Sequence, residues 1–166
     1  MRIIKLSFII AVALLNIAAM PLPDGWRNPT AKETSQDWRN DKHHRYLSVK
    51  SDFNGDGITD EAKFLVKQRG QGLALFAFVS QGKEFRRFML DELEDVGWLE
   101  VMGIDLAPKG KHTTACGKGY FDCDPGEPKQ VTLTWPSINY FKEESASSFF
   151  YWHEKSKKFK RVWISD

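Results

Sequence analysis

The chain has 166 residues, with 24 Lys and Arg against 22 Asp and Glu, a formal charge of +2 and 13% aromatic side chains. A near-neutral chain gives no support for nucleic-acid binding, and the length fits one domain able to bury a real core. The high aromatic content favours strands and substantial apolar burial.

Residues 1–19 read as an export signal: Arg2 and Lys5 form a basic start, Leu6 to Leu15 an apolar middle and Ala18-Ala19 a small-residue end. The apolar run falls short of the roughly 20 residues needed to span a bilayer. This leader carries two basic residues and no acidic one, so its removal brings the formal charge to zero. Residues 20–166 are then expected to form a single β domain, exported to the periplasm or secreted, with no membrane span left after the signal is removed. Pro21 to Pro29 reads as an extended leader anchored by Trp26, and Thr30-Ala31-Lys32-Glu33 as a capping box opening a short helix to about Arg39.

The most informative stretch is Asp52-Phe53-Asn54-Gly55-Asp56-Gly57-Ile58-Thr59-Asp60. Oxygen-bearing side chains stand at positions one, three, five and nine, and a Gly takes the turn at position six. That pattern suits a hard cation, calcium above all. Ile58 is expected to offer its backbone carbonyl and to point its side chain into the fold. An EF-hand is excluded because position twelve is Lys63, a cation, and because the flanks, Tyr46 to Ser51 and Ala62 to Lys67, read as strands. The motif resembles the calcium loop of FG-GAP and VCBS-type repeats, D-x-[DN]-x-[DN]-G-x-x-D between two hairpin strands. That resemblance implies Asp52, Asn54, Asp56 and Asp60 as side-chain ligands and Ile58 as the carbonyl ligand. No second copy of the motif occurs, so a single motif in a small sheet is expected, with the ion acting as a structural staple.

Leu73 to Val79 is an unbroken apolar run, the natural central strand covered on both faces. Glu84 to Leu90 returns as a more polar strand, the acidic cluster Asp91 to Asp95 as a solvated loop or helical turn, and Leu99 to Leu106 as a further strand. Val131, Leu133 and Trp135 alternate onto a buried face, Ile138 to Lys142 is a short strand, and Ser147 to His153 with Lys158 to Ser165 carry a hairpin signature. Aromatics on both faces of Phe149-Phe150-Tyr151-Trp152 require cover on both sides. The expected fold is therefore all-β and mostly antiparallel, a two-layer sandwich or strongly curled sheet, with one short N-terminal helix.

Cys116 and Cys123 are the only cysteines; an even count in an exported, Gly-rich loop points to a disulfide. The rival reading is a Cys116 nucleophile with His112 as its base. Tyr120 and Phe121 at the loop tip read either as an exposed partner contact or as a pair buried against the sheet. The basic residues Lys155, Lys157, Lys158, Lys160 and Arg161 guard a terminal strand edge or dock an acidic partner.

No serine-hydrolase elbow, phosphate-cradling glycine loop or zinc-protease spacing occurs. The leading expectation is a non-enzymatic, calcium-binding exported protein that binds a partner in the cell envelope, with an inhibitor or immunity-type role as a special case. The alternative is a calcium-dependent hydrolase of the cell envelope using His112 or His153. A cleft joining a histidine, a carboxylate and the metal loop favours the enzyme; a convex, aromatic-tipped surface favours the binder.

Overall fold

The computed structural model describes residues 20–39, 42, 44–82 and 84–166; the export signal expected over residues 1–19 lies outside them. Among the described residues, eleven strands form three antiparallel sheets. The first sheet contains β1 (Trp26–Arg27), β2 (Ser48–Ser51), β3 (Asp60–Lys67), β4 (Leu73–Gln81) and β5 (Glu84–Leu93). β2 and β1 lie on the same side of β3, β2 along residues 60–63 and β1 along 66–67. The second sheet runs β11 (Lys158–Ser165), β10 (Ser147–His153), β9 (Ser137–Lys142), β6 (Met102–Ala107). β7 (Gly110–Thr113) and β8 (Gln130–Leu133) form a separate ribbon. Among the described residues no helix is long and apolar enough to cross a membrane.

The two large sheets pack face to face, because Phe64, Leu75 and Ala77 of the first share a buried cluster with Ile104, Ile138, Tyr140 and Phe150 of the second. The sandwich layer is thus the main core. β4 explains its own unbroken apolar sequence. Leu73, Leu75 and Ala77 face this core, while Ala74, Phe76 and Phe78 face outward into a second cluster covered by Met20, Leu22 and Trp26. The extended N-terminal leader is the lid on the outer face of β4. β10 divides its aromatics the same way: Phe150 enters the main core and Phe149 a third cluster with Ala107, Val131, Leu133 and Val162.

The expected N-terminal helix is present as two 3₁₀ turns, Lys32–Thr34 and Asp37–Arg39. Thr30 and Glu33 do exchange capping-box bonds: the Thr30 amide donates to Glu33 Oε2 at 2.8 Å and the Glu33 amide to Thr30 Oγ1 at 3.4 Å. Arg39, the last residue of the second turn, is drawn into the interior. Its guanidinium, fully buried, donates to the carbonyls of Arg45 (2.7 Å), Leu99 (2.6 Å) and Met102 (3.0 Å). Burial lowers its pKa to about 10, so it stays charged at neutral pH. The strand expected from Leu99 starts at Met102, since Val96–Glu100 forms a 3₁₀ turn capped by Asp95, whose carboxylate accepts from the Gly97 amide at 2.8 Å.

Candidate metal centre

Ser51 pairs with Asp60 at the end of the β2–β3 ladder, so residues 52–59 are the loop of a hairpin. Within it, short oxygen-bearing side chains bend back to cap the backbone amides of the turn. Asp52 Oδ1 accepts from the Gly55 amide at 2.6 Å and its Oδ2 from Gly57 at 2.9 Å. Asn54 Oδ1 accepts from the Asp56 amide at 3.0 Å, and Asp56 Oδ1 from Ile58 at 2.8 Å. The Asn54 amide group donates to Asp56 Oδ2 at 2.9 Å.

Asp60 stands apart, since only 1% of it is exposed. Its two oxygens accept from the amides of Phe53 and Ser80, each at 2.9 Å, tying the loop to β4. Burial is the main force on its carboxyl and pushes the pKa up to about 6. The two amide bonds oppose that shift, and the negative charges of Asp56 and Asp52 add to it.

One expectation is corrected. Ile58 does not face into the fold; its side chain is 42% exposed. The loop residue that enters the core is Phe53, fully buried, with its ring centroid 6.2 Å from that of Phe159. Phe53 stands two residues past the last paired residue, Ser51, and its amide is fixed by Asp60, so its side chain is committed to the interior. Ile58 instead follows the left-handed Gly57 (φ 83°) on the outer side of the turn.

Among the described residues no three His, Cys, Asp or Glu side chains make a ready group for a metal ion, because the loop carboxylates are turned onto their own amides. The donor set nevertheless fits a hard cation. Each oxygen has a second lone pair beyond the one an amide uses, and all four side chains offer oxygen, with no sulfur or imidazole. No described basic side chain forms an ion pair with Asp52, Asp56 or Asp60. Lys63 instead pairs with Glu61 at 2.9 Å.

Cys116 and Cys123 are joined, with Cα atoms 4.9 Å apart, and no free thiol remains for the nucleophile reading. His112 is occupied with the Pro108 carbonyl at 2.9 Å and the edge-to-face contact with Phe149. The disulfide loop is fastened to β11 by the Ala115 amide on the Trp163 carbonyl and by Lys118 Nζ on the Ile164 carbonyl, both at 2.8 Å. At its tip Tyr120 is 55% exposed and Phe121 40%. Of the basic hairpin residues, Arg161 has a structural task that sequence reasoning missed. It reaches Asp91 of β5 at 3.4 Å and lies 4.2 Å from the Trp163 ring centroid, linking the edges of the two sheets.

An open groove of about 440 Å³ runs between the 52–59 loop and the β10–β11 turn, lined by Asn54, Gly55, Thr134, Trp135, Trp152 and His153 among others. Trp135, expected on the buried face of β8, is half-buried and lies beyond the end of that strand, with its ring against Gly55. Comparison of the chain with protein-family models, curated proteins and solved structures gives no match.

Proposed function

We propose that this protein is an exported, calcium-stapled binding protein whose partner lies in the cell envelope. The observation that carries the reading is the placement of Asp60. It is a buried carboxylate at the ninth position of the motif, repelled by Asp52 and Asp56 and without a described cationic partner. A divalent ion relieves that repulsion and, by joining the loop to β3 and β4, holds together the hairpin that feeds Phe53 into the core. The donors are Asp52, Asn54, Asp56, Asp60 and the Ile58 carbonyl. The disulfide supports export, and the fastened loop with its exposed Tyr120 and Phe121 supports partner contact, because rigid aromatics lose little entropy on docking. An inhibitor or immunity-type role is the special case in which that partner is a wall-directed enzyme.

A second reading, the calcium-dependent hydrolase, gains from one observation: His153 and Glu154 line the same groove as Asn54 and Gly55. Both side chains have other engagements. His153 Nδ1 is paired with Ser156 Oγ at 2.8 Å within the turn. Glu154 is held below its ordinary pKa by Lys157, which suits a fixed anion better than a proton donor. The deciding experiment is isothermal titration of the protein with calcium, followed by capture of its partner from envelope extract with calcium or chelator present. Absence of calcium binding at millimolar concentration overturns the staple, and turnover of an envelope polymer that stops on chelation favours the hydrolase.

A further inference from the structure

The metal reading leaves the groove beside the loop without a role. Its volume, about 440 Å³, lies within the roughly 300–1,000 Å³ of small-molecule sites. Trp135 and Trp152, both half-buried, bring aromatic surface to its walls. Around them stand the Asn54 amide, the Thr134 hydroxyl, the His153 ring and the Glu154 carboxylate, a set of hydrogen-bonding groups with one carboxylate and no Lys or Arg. That one carboxylate is already engaged by Lys157 and by the Trp152 indole N–H at 3.1 Å.

The composition of this lining selects a ligand class. A phosphate or other anion needs cations or converging amides; the lining holds no Lys or Arg, and Lys109 stands outside it, its Nζ 5.0 Å from the Trp135 ring centroid. A fatty chain needs an enclosed apolar cavity, and this groove is open and rimmed with polar groups. A second metal needs several free carboxylates. What remains is a neutral ring with C–H bonds on its faces and hydroxyls around its edge, which meets indole surface with the first and amide, hydroxyl and imidazole groups with the second. We propose that the groove between the metal loop and the Trp152 hairpin is a saccharide-binding site.

The site is joined to the metal loop. Asn54 and Gly55 form one wall, and the Trp135 ring occupies the space where a side chain at position 55 would begin. Loosening the loop therefore releases Trp135, and a saccharide and the ion should strengthen each other's binding reciprocally. This coupling rests on the calcium reading; the saccharide site itself does not.

The test uses the full chain in calcium, titrated with cellotetraose, chitotetraose, maltotetraose and xylotetraose while heat and tryptophan emission are recorded. Saturable binding of at least one, with a Kd of about 1 mM or tighter, is expected. Thr134→Arg, at an exposed position, should weaken it at least tenfold with the melting temperature unchanged, and Thr132→Arg provides a second variant if the first folds poorly. No saturable signal from any of the four, or undiminished binding in a folded arginine variant, overturns the proposal. So does binding of tetra-alanine in place of a saccharide, which assigns the groove to a peptide. Failure of calcium to shift melting in the same samples overturns the metal reading separately, and saccharide binding in chelator then stands without it.

Discussion

Trp135 fills the space beside Gly55 so completely that a Cβ at position 55 would clash with three carbons of its six-membered ring. The loop thereby packs its own backbone against β8's continuation, some eighty residues later in the chain. Gly57, two residues on, shares the left-handed backbone (φ 83° against 79°) but has open space around it. The pair separates two effects that usually coincide. Gly57→Ala should cost only the backbone strain, about 1 kcal/mol. Gly55→Ala should add overpacking of about 1–3 kcal/mol and change the Trp135 emission. Denaturant unfolding of both variants checks this, and equal losses would mean that the Trp135 contact carries no energy.

Calcium should raise the melting temperature. A loop of extracellular type has a Kd of roughly 10⁻⁴ to 10⁻³ M, so about 10 mM calcium stabilises the native state by about 1.4–2.7 kcal/mol, a shift of several degrees for a domain of this size. Asp56→Ala removes a proposed ligand without touching the Asp60 anchor and should abolish the shift. A melting curve unmoved by calcium in the wild type would end the staple reading.

The Arg27–Glu33 pair sets an acid-dependent contribution. Arg27 donates to both Glu33 oxygens, at 2.7 and 2.8 Å, and Thr30 adds its amide. The guanidinium hydrogen bond, more than any other influence, takes the Glu33 pKa from 4.5 to about 2. A carboxyl held lower in the folded than in the unfolded state stabilises above the unfolded value and loses that contribution as pH falls toward the folded one. The melting-temperature gap between wild type and Glu33→Gln should therefore be full at pH 6 and close between pH 4.5 and 2. Because both side chains are partly exposed, the gap is small and shrinks further in salt. A gap independent of pH would show that the variant acts by packing.

The sequence makes some of this legible and hides the rest for identifiable reasons. β4 is readable because both its faces are covered, so no polar residue interrupts Leu73 to Val79. The hairpin loop over residues 52–59 is readable because Asp52, Asn54 and Asp56 bond to amides within the same few residues. Ile58, expected inside, lies outside and Phe53 enters the core instead, because turn geometry, which local spacing does not encode, decides which side chain turns inward. Arg39 looks like an ordinary solvated helix end, and its carbonyl partners at Leu99 and Met102 lie sixty residues away. β1 is two residues long and exists only because β3 offers Val66 and Lys67 as partners. β7 pairs with β8 across the whole disulfide loop. Long-range tertiary contacts, absent from any local window, account for the last three.

Arg39 should be the least replaceable charged residue. Arg39→Met keeps much of the volume but leaves the carbonyls of Arg45, Leu99 and Met102 without their donor. Each unsatisfied buried acceptor costs about 1–3 kcal/mol, so a total loss of several kcal/mol is expected in chemical unfolding. A loss below about 1 kcal/mol would mean that water replaces the guanidinium.

The disulfide loop offers the sharpest separation of binding from stability. Tyr120 is more than half exposed, while Ala115 and Cys116, only a few residues earlier, are buried, and the Ala115 amide is bonded to β11. The anchor and the tip are therefore different residues of one loop. Tyr120→Ala removes the tip alone and should leave the melting temperature within a degree or so, since exposed substitutions rarely exceed about 0.5 kcal/mol. If Tyr120 is a central anchor of the interface, the same change weakens partner capture by 2 kcal/mol or more, about thirtyfold. Opening the crosslink with Cys123→Ser, paired with Cys116→Ser, acts the other way round. It frees a loop whose closure is worth about 2 kcal/mol, lowers the melting temperature, and weakens capture only through the loss of a rigid tip. Measuring melting and capture for the two variants side by side decides the matter. If Tyr120→Ala lowers the melting temperature as far as the double serine variant does, the ring belongs to the fold and the partner surface lies elsewhere.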